Sequence, residues 1–186
     1  MQQLIDYIEQ YVKLDTQAIE ALYKYAKVEK YAKKQHILQQ GDRCNKIWFI
    51  KSGMVRKYHL HEGKEITCWI HTENETFTSL QSYSQQSPAN ENLQACENSE
   101  LISITRQNSE KLTRHQQFIT FSNLLMEKQF VNIDIHTKEF NQRDARGKYE
   151  YLKIIAPETV KRAKLAHIAT IIGVTQETLS RIRREK

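Results

Sequence analysis

The C-terminal stretch Leu165–Lys186 reads LAHIATIIGVTQETLSRIRREK and has the pattern of two short helices joined by a turn. Gly173 stands where a tight turn between two helices needs a residue that tolerates positive φ. The residues before it recur at three- and four-residue steps, which places the apolar and small ones on one helix face. These are Leu165, Ile168, Ala169 and Ile172.

The second helix of this pair opens at Thr175, whose hydroxyl can cap it, and Leu179 and Ile182 continue the buried face. Its outer face is polar and basic. Two helices joined by a glycine turn, the second with such a face, describe a helix-turn-helix, which predicts binding to duplex DNA. The outer-face residues are Gln176, Glu177, Ser180, Arg181, Arg183 and Arg184.

The charge of the chain is concentrated in the same region. Residues 160–186 hold seven Lys or Arg and two Glu, a net charge of +5, whereas the whole chain carries +6. A solvated helix end would also favour Lys and Arg in its last turns. The turn glycine and the helical periodicity favour a phosphate-contacting surface instead.

The composition is that of a globular protein: 186 residues, 39% hydrophobic, with two prolines. No apolar run approaches the roughly 18 residues that span a bilayer, and the N-terminus lacks a secretory signal pattern. We therefore expect a cytoplasmic protein without membrane contact. Cys44, Cys68 and Cys96 are widely spaced and suit no disulfide framework, zinc site or iron–sulfur site, so buried or half-buried free thiols are expected.

Upstream of the basic end, the sequence predicts an α+β fold. Residues 2–26 have the periodicity of two short helices, the second capped by Asp15. From Val28 to about Thr105, short strands rich in β-branched and aromatic residues alternate with turns, which predicts an antiparallel β-roll or barrel. The expected strands are Lys46–Lys51, Met54–Leu60, Glu65–Ile70, Leu93–Cys96 and Leu101–Thr105.

A polar surface connection, Ser79–Asn92, precedes a long helix over about 114–140. A helix of this length extends roughly 40 Å and is a natural dimerisation element, although Val131, Ile133 and Ile135 alone could pass for a strand. Asp144 is expected to cap a following helix that stops at Pro157.

This order of elements resembles the Crp/Fnr superfamily, the relatives of the cyclic-AMP receptor protein. The resemblance is carried by Ile37–Ile70 (ILQQGDRCNKIWFIKSGMVRKYHLHEGKEITCWI) and by His167–Arg184 (HIATIIGVTQETLSRIRR). The phrases ETLSRIRR and TSLQSY are similar to regulators common in Bacteroidetes. The resemblance implies a sensor domain over 1–113, a dimerisation helix over 114–140 and a helix-turn-helix domain over 141–186.

The resemblance also implies roles for residues of the second helix. Thr175 matches a capping hydroxyl that contacts phosphate, and Thr178 is expected to contact phosphate too. Glu177 matches a Glu that accepts from cytosine, and Arg181 matches an Arg that donates to guanine. Gln176 stands where the best-known member has Arg and is expected to pair with adenine. Glu177 could equally stabilise the helix dipole, and both roles are compatible.

The cyclic-nucleotide cassette of the family does not carry over. The matching region here is Phe77-Thr78-Ser79-Leu80, continuing to Ala89-Asn90. Leu80 falls at the ribose-binding Glu and Ala89 at the phosphate-binding Arg. Without that cation a cyclic phosphate has nothing to neutralise it, so we expect no cyclic-AMP binding and an unknown small-molecule effector, if any. Neither the cysteine cluster of oxygen sensors nor a haem-ligating pattern is present.

Many relatives carry wing strands after the recognition helix. This sequence ends at Lys186, and residues 157–163 are too short for more than a rudimentary wing, so we expect a reduced one. Lys161, Arg162 and Lys164 are candidates to replace its phosphate contacts.

A rival interpretation uses His59, His61 and Glu65, which reproduce the first half of a cupin metal motif and could hold iron, manganese or zinc. Thr72 replaces the closing Gly of that motif, and Glu62-Gly63 has the pattern of an exposed hairpin tip. The rival would make the roll a metal sensor or an oxygenase-like domain.

The sequence thus predicts a homodimeric, non-enzymatic transcriptional regulator that binds an inverted-repeat operator, with no catalytic residues, no cofactor and no metal. If it activates transcription, it also contacts RNA polymerase.

Overall fold

The computed structural model describes residues 1–184, so the expected charges of Glu185 and Lys186 lie outside the described residues. The helices and strands follow one another as the sequence predicts, with short elements added between them. In chain order they are α1 (Gln2–Ile8), α2 (Thr16–Tyr25), β1 (Ala26–Tyr31), β2 (His36–Leu38), β3 (Lys46–Ser52), β4 (Val55–His61), β5 (Lys64–His71), β6 (Thr76–Phe77), α3 (Leu80–Gln85), β7 (Asn92–Ala95), β8 (Ser99–Thr105), α4 (Arg106–Leu112), α5 (Gln116–Gln142), α6 (Ala145–Ile155), α7 (Pro157–Arg162), α8 (Leu165–Ile172) and α9 (Gln176–Arg184).

The strands form two four-stranded antiparallel sheets, in the orders β1-β8-β3-β6 and β2-β7-β4-β5. Residues from both sheets share one buried core, which includes Ile50, Val55, Leu93 and Leu101. Alternation along the strands places these side chains inside and leaves the other face free to pack elsewhere. The α+β fold and the antiparallel roll expected from the sequence are confirmed.

The N-terminal helices pack on the outside of the roll. Asp15 caps α2 as predicted, because its carboxylate accepts a hydrogen bond from the Ala18 amide at 2.8 Å. Leu22 is fully buried and contributes to a second core with Phe49 and Ile102 of the roll and Phe118 of α5. This second core fixes the start of α5 against the roll.

Helix α5 has 27 residues, which corresponds to about 40 Å. Of these residues, Phe118 alone is buried, and the middle of the helix exposes six large apolar side chains. They are Leu124, Met126, Phe130, Val131, Ile133 and Ile135. The alternative of a strand over Val131–Ile135 is wrong, since all three residues concerned are helical.

The C-terminal helical unit, α6 to α9, has its own core of Tyr149, Leu152, Ile168, Ile172 and Leu179. Asp144 caps α6 as predicted by accepting from the Gly147 amide at 2.8 Å. Residues Pro157–Arg162, which the sequence predicts to be too short for more than a rudimentary wing, form a short helix. Pro157 stands at the first helical position, where its fixed φ and missing N–H suit a helix start, so it both follows α6 and opens α7.

The C-terminal helical unit packs on the outer face of the β4–β5 hairpin. The Thr67 amide in β5 donates to the Thr170 hydroxyl in α8 at 3.1 Å, and the Thr159 hydroxyl donates to the Ile70 carbonyl at 3.4 Å. Trp69 joins the core of the unit and stacks on His136 of α5, with ring centroids 6.0 Å apart. Roll, long helix and C-terminal unit therefore meet at β5.

Among residues 1–184, no helix is both long enough and apolar enough to cross a bilayer.

Candidate nucleic-acid interface

The turn between α8 and α9 is built as the sequence predicts. Gly173 has φ +76, the left-handed conformation that glycine adopts without steric cost. The Val174 amide donates back to the Ala169 carbonyl at 2.9 Å, which satisfies one of the free carbonyls at the end of α8. The two helices are therefore joined by a short, hydrogen-bonded turn.

Thr175 opens the second helix. Its hydroxyl accepts from the Thr178 amide at 3.2 Å, as an N-cap residue does. Leu179 is fully buried against the core of the C-terminal helical unit, and Ile182 is half-buried beside it. These apolar contacts hold α9 on α8 and fix which side of α9 faces outward.

The outward side of α9 forms a concave surface with the start of α8, which we call the α9 groove. Gln176, Glu177 and Arg181 are exposed, and Ser180 is half-buried. Because α9 advances about 100° per residue, the polar groove residues lie on one side of the helix. The groove is lined by Leu165, Gln176, Glu177, Ser180, Arg181 and Arg184.

The groove carries one carboxylate between basic side chains. A hydrogen bond from the backbone N–H of Glu177, with a second from the Thr175 hydroxyl, holds the pKa of the Glu177 carboxyl below its ordinary value. Glu177 is therefore an acceptor at neutral pH, flanked by the guanidinium groups of Arg181 and Arg184 as donors. An acceptor and donors on one exposed helix face match the edges that bases present in a major groove.

Two of the predicted residues of α9 lie outside the groove. Thr178 is half-buried, and its hydroxyl lies 3.2 Å from that of Thr175, so it is engaged at the helix start. Arg183 is exposed, but it lies on the side of α9 away from Arg181. The structure thus brings together Gln176, Glu177, Ser180, Arg181 and Arg184.

The basic residues before α8 divide into two kinds. Lys161 and Lys164 are exposed, whereas Arg162 is held by the carboxylates of Glu73, Glu97 and Glu158. The expectation that Arg162 replaces a wing contact to phosphate is therefore wrong for this arrangement. The sequence could not show this, because Glu73 and Glu97 lie in turns of the roll far away along the chain.

The region that matches the cyclic-nucleotide cassette is occupied by internal contacts. Ala89 is buried, its amide donates to the Asp42 carbonyl and its carbonyl accepts from the Gly41 amide, both at 2.8 Å. Leu80 is exposed at the start of α3. The positions of the expected phosphate-binding Arg and ribose-binding Glu are thus a buried methyl group and an exposed aliphatic side chain.

The neighbouring cassette residues Phe77, Thr78 and Ser79 also face the protein, whereas Asn90 is exposed. Phe77 stacks on Trp48 with ring centroids 5.6 Å apart, and the Thr78 hydroxyl donates to the Lys46 carbonyl at 2.8 Å. Ser79 is fully buried, and its hydroxyl has no hydrogen-bond partner within residues 1–184. Asn90 donates to the Gln81 side chain at 3.3 Å.

The rival metal site is not assembled. In the β4–β5 register, His59 pairs with Ile66 and Leu60 pairs with Glu65, so Glu65 lies on the face opposite to both histidines. Glu65 forms an ion pair with Arg56 at 2.6 Å, whereas His59 Nδ1 lies 3.1 Å from Cys68 Sγ. Over the described residues, no group of three or more potential ligands could hold a metal.

The three cysteines are free thiols. Cys44 is buried and Cys96 half-buried, as expected, but Cys68 is exposed on the outer part of β5. The expectation is wrong for Cys68 because this residue is the unpaired one at a β-bulge, where Lys57 pairs with Trp69 and Tyr58 pairs with Thr67.

One buried polar cluster was not predicted. Arg56 of β4 is buried, and it donates to the Gln94 side chain at 2.7 and 2.9 Å and to His167 Nε2 of α8 at 3.2 Å. The sequence gives no signal for this cluster, because β4 also contains Lys57, His59 and His61, and His167 lies 111 residues away from Arg56. Burial, with Arg56 and Lys164 nearby, lowers the pKa of His167 to about 4, so this histidine is neutral at pH 7.

Comparison with known proteins agrees with this architecture. Residues 28–116 match the family model of the cyclic nucleotide-binding domain, and no curated protein matches the chain. FixK2 of Bradyrhizobium japonicum is similar with a TM-score of 0.68 at 17% identity, over 86% of this chain and 83% of that one. The catabolite activator protein of Thermus thermophilus is similar with a TM-score of 0.58 at 20% identity, over 94% and 84%.

A third similar structure is a Eubacterium rectale protein described as a transcriptional regulator of the crp/fnr family. Its TM-score is 0.67 at 16% identity, and the match covers 96% of this chain and 86% of that one. The chain has the Crp/Fnr fold. The Crp/Fnr fold comprises the β-roll, the long helix and the C-terminal helix-turn-helix, so the fold that the resemblance implies is confirmed.

Proposed function

We propose that this chain is a sequence-specific DNA-binding transcriptional regulator of the Crp/Fnr type. The observation that carries the proposal is the α9 groove, in which Gln176, Glu177 and Arg181 stand exposed on one face of a helix supported from behind by Leu179. In a helix-turn-helix, the second helix enters the major groove with such a face toward the bases. The proposed role is not enzymatic. A protein with this role would act in the cytoplasm, where it meets the DNA.

The proposal assigns each groove residue a contact. Arg181 would donate two hydrogen bonds to guanine, Glu177 would accept from cytosine, and Gln176 would pair with adenine. Ser180 and Arg184 would reach the edges of the site or nearby phosphates. Thr175, Thr178, Arg183, Lys161 and Lys164 would contribute position and salt-dependent affinity rather than sequence choice.

We further propose that two copies associate through α5. The six exposed apolar side chains of α5 form two stripes, one at four- and three-residue steps through Met126, Phe130 and Ile133, and one at seven- and four-residue steps through Leu124, Val131 and Ile135. A helix that exposes apolar residues on two sides is poorly solvated alone, and packing along a second copy of itself would cover the stripe through Met126, Phe130 and Ile133. A symmetric dimer would place the two α9 helices in successive major grooves about 34 Å apart, on an inverted repeat.

We propose that cyclic AMP is not the effector of this regulator. A buried Ala89 and an exposed Leu80 leave the cassette without the cation and the carboxylate that the family uses. A further small molecule would have to be recognised elsewhere in the chain. If the regulator activates transcription, a contact with RNA polymerase would be required in addition.

Selection from a random duplex library at about physiological salt tests the proposal. We expect enrichment of an inverted repeat whose half-site centres are about 10 base pairs apart. Folded dimeric protein that retains DNA without enriching any sequence would reduce the proposal to non-specific binding, and protein that retains no DNA would refute it.

A further inference from the structure

A cationic cavity of about 240 Å³ lies between the roll and the C-terminal helical unit. On the roll side it is lined by Lys33 and Lys34 from the turn between β1 and β2, Arg56 from β4 and Glu65 from β5. On the other side it is lined by Lys164 and His167, at the start of α8. A ligand in this cavity would therefore touch both parts of the protein.

The charges around the cavity do not balance. Arg56 is neutralised by its ion pair with Glu65, and four of its hydrogen-bond contacts are already made to Gln94, Glu65 and His167. The positive charges that remain are those of Lys33, Lys34 and Lys164. Within residues 1–184, none of these three ammonium groups has an ion-pair or hydrogen-bond partner. All three lysines are exposed, so solvent screens their mutual repulsion in part, and a bound anion would relieve what remains of it.

The turn that holds two of these lysines is fixed and strained. Lys34 has φ +71, a conformation that costs a non-glycine residue roughly 1 kcal/mol. Its amide donates to the Ala95 carbonyl, and its carbonyl accepts from the Gln94 side chain, both at 2.8 Å.

The C-terminal side of the cavity adds positive potential. Lys164 is the N-cap of α8, and its side chain makes no cap hydrogen bond. The free amides in the first turn of α8 are therefore not capped by this side chain, and they contribute positive potential. Because a guanidinium can only donate, His167 accepts from Arg56 at Nε2 and carries its proton on Nδ1, which has no partner among the described residues. The cavity is thus rich in donors and poor in acceptors.

We propose that this cavity binds a small phosphate-bearing anion, which joins the roll to the helix-turn-helix. Lys33 and Lys34 bind it from the roll, and Lys164 binds it from the start of α8. The volume is below that of sites for drug-sized ligands, which favours a compact anion such as pyrophosphate over a nucleotide. Because the anion relieves repulsion across the boundary, its binding stabilises the docked position of the C-terminal helical unit.

Isothermal titration of inorganic pyrophosphate into the full-length protein tests the proposal. We expect saturable binding of one anion per chain, weakened at least tenfold by Lys34→Gln and by Lys164→Gln. Lys161→Gln is the matched control, since Lys161 is a 75% exposed lysine of the same unit outside the cavity, and it should bind as the wild type does. Absence of saturable binding, or an equal loss in the control, overturns the proposal.

Thermal unfolding supplies a second readout. Pyrophosphate should raise the melting temperature of the wild type and of Lys161→Gln but not that of the Lys34→Gln, Lys164→Gln double variant. Without the anion the double variant should be at least as stable as the wild type, because like charges have been removed. A double variant that is still stabilised by pyrophosphate as the wild type is would also overturn the proposal.

The phosphate could instead belong to a DNA backbone, and the same variants separate the two sources. If Lys164→Gln weakens binding to random duplex DNA and leaves the pyrophosphate titration unchanged, the lysine serves DNA and the anion site is refuted. The effect of the anion on DNA binding rests on the proposed function, whereas the titration does not. Lysine-dependent pyrophosphate binding by a protein that retains no DNA would therefore refute the proposed function and leave the anion site standing.

Discussion

Arg162 of α7 donates two hydrogen bonds to Glu73, at 2.7 and 2.9 Å, and so ties the C-terminal helical unit to the turn between β5 and β6. Glu97 of the turn between β7 and β8 contacts the same guanidinium. Glu73 also accepts from the Gly53 amide at 2.8 Å. The hydrogen bonds from Arg162 are the main cause that lowers the pKa of Glu73 to about 2.

We expect Glu73→Gln to lower the free energy of unfolding by about 1–3 kcal/mol at pH 7, because one partner of a half-buried charge pair is lost. The pKa of Glu73 is depressed from 4.5 to about 2 on folding, so its stabilisation is complete above pH 4.5 and is lost as the pH falls toward 2. Urea denaturation of wild type and variant at several pH values measures both.

Glu150→Gln is the control for this prediction. Glu150 forms an exposed pair with Lys153 three residues along α6, and its removal should cost at most about 0.5 kcal/mol. A difference between Glu73→Gln and wild type that stays constant from pH 7 to pH 2.5 would show that the charge of Glu73 is not what stabilises the contact.

Replacement of Gly173 tests the turn of the helix-turn-helix. An added Cβ would meet no atom within 4 Å, so the cost of Gly173→Ala comes from φ +76 alone and should be about 1 kcal/mol. Gly173→Asn should cost less, because Asn tolerates this conformation better than Ala. Denaturant midpoints of the two variants give the comparison, and an Asn variant that is less stable than the Ala variant would contradict it.

Association through α5 predicts that Phe130→Ser and Ile133→Ser together shift the protein from dimer to monomer in analytical ultracentrifugation. Phe130 is 63% exposed and Ile133 57% exposed, so the single chain loses little packing, whereas the proposed dimer loses two apolar contacts per copy. Ile154→Ser is the control, because Ile154 is a 77% exposed apolar residue of α6 rather than of α5. Monomeric wild-type protein at micromolar concentration would remove the basis of the inverted repeat.

Titration with cyclic AMP should give no saturable heat at micromolar to millimolar concentrations, because the cassette lacks a cation at Ala89. Micromolar or tighter binding would contradict this expectation. The same protein sample should be titrated with pyrophosphate, so that the response of the cationic cavity is measured beside it.

The parts of the fold that the sequence predicts are those determined by neighbours along the chain. The caps at Asp15, Asp144 and Thr175 each use an amide three residues ahead, and the turn at Gly173 depends on its own φ. Strands β2 and β6 have three and two residues, which is too short for alternation to be recognised.

The parts that the sequence does not predict depend on distant contacts. Arg162 has the pattern of a free basic residue until the fold brings Glu73 and Glu97 to it, and Arg56 contacts His167 across 111 residues. The sequence shows that a helix ends before Pro157, but it does not show that α7 begins there. The missing N–H of proline is compatible with both roles. The residues of the α9 groove can be predicted from the sequence, whereas the contacts that hold the C-terminal helical unit on the roll cannot.

The most direct test of the central claim is to repeat the duplex selection with Arg181→Ala and Arg183→Ala beside the wild type. Arg181 lies in the α9 groove and Arg183 outside it, so the two variants remove the same charge from different faces of one helix. If the groove reads bases, Arg181→Ala loses preference at one base pair in each half-site and about 1–3 kcal/mol on the operator, while Arg183→Ala keeps the wild-type motif. Identical motifs from all three proteins would contradict readout by the α9 groove.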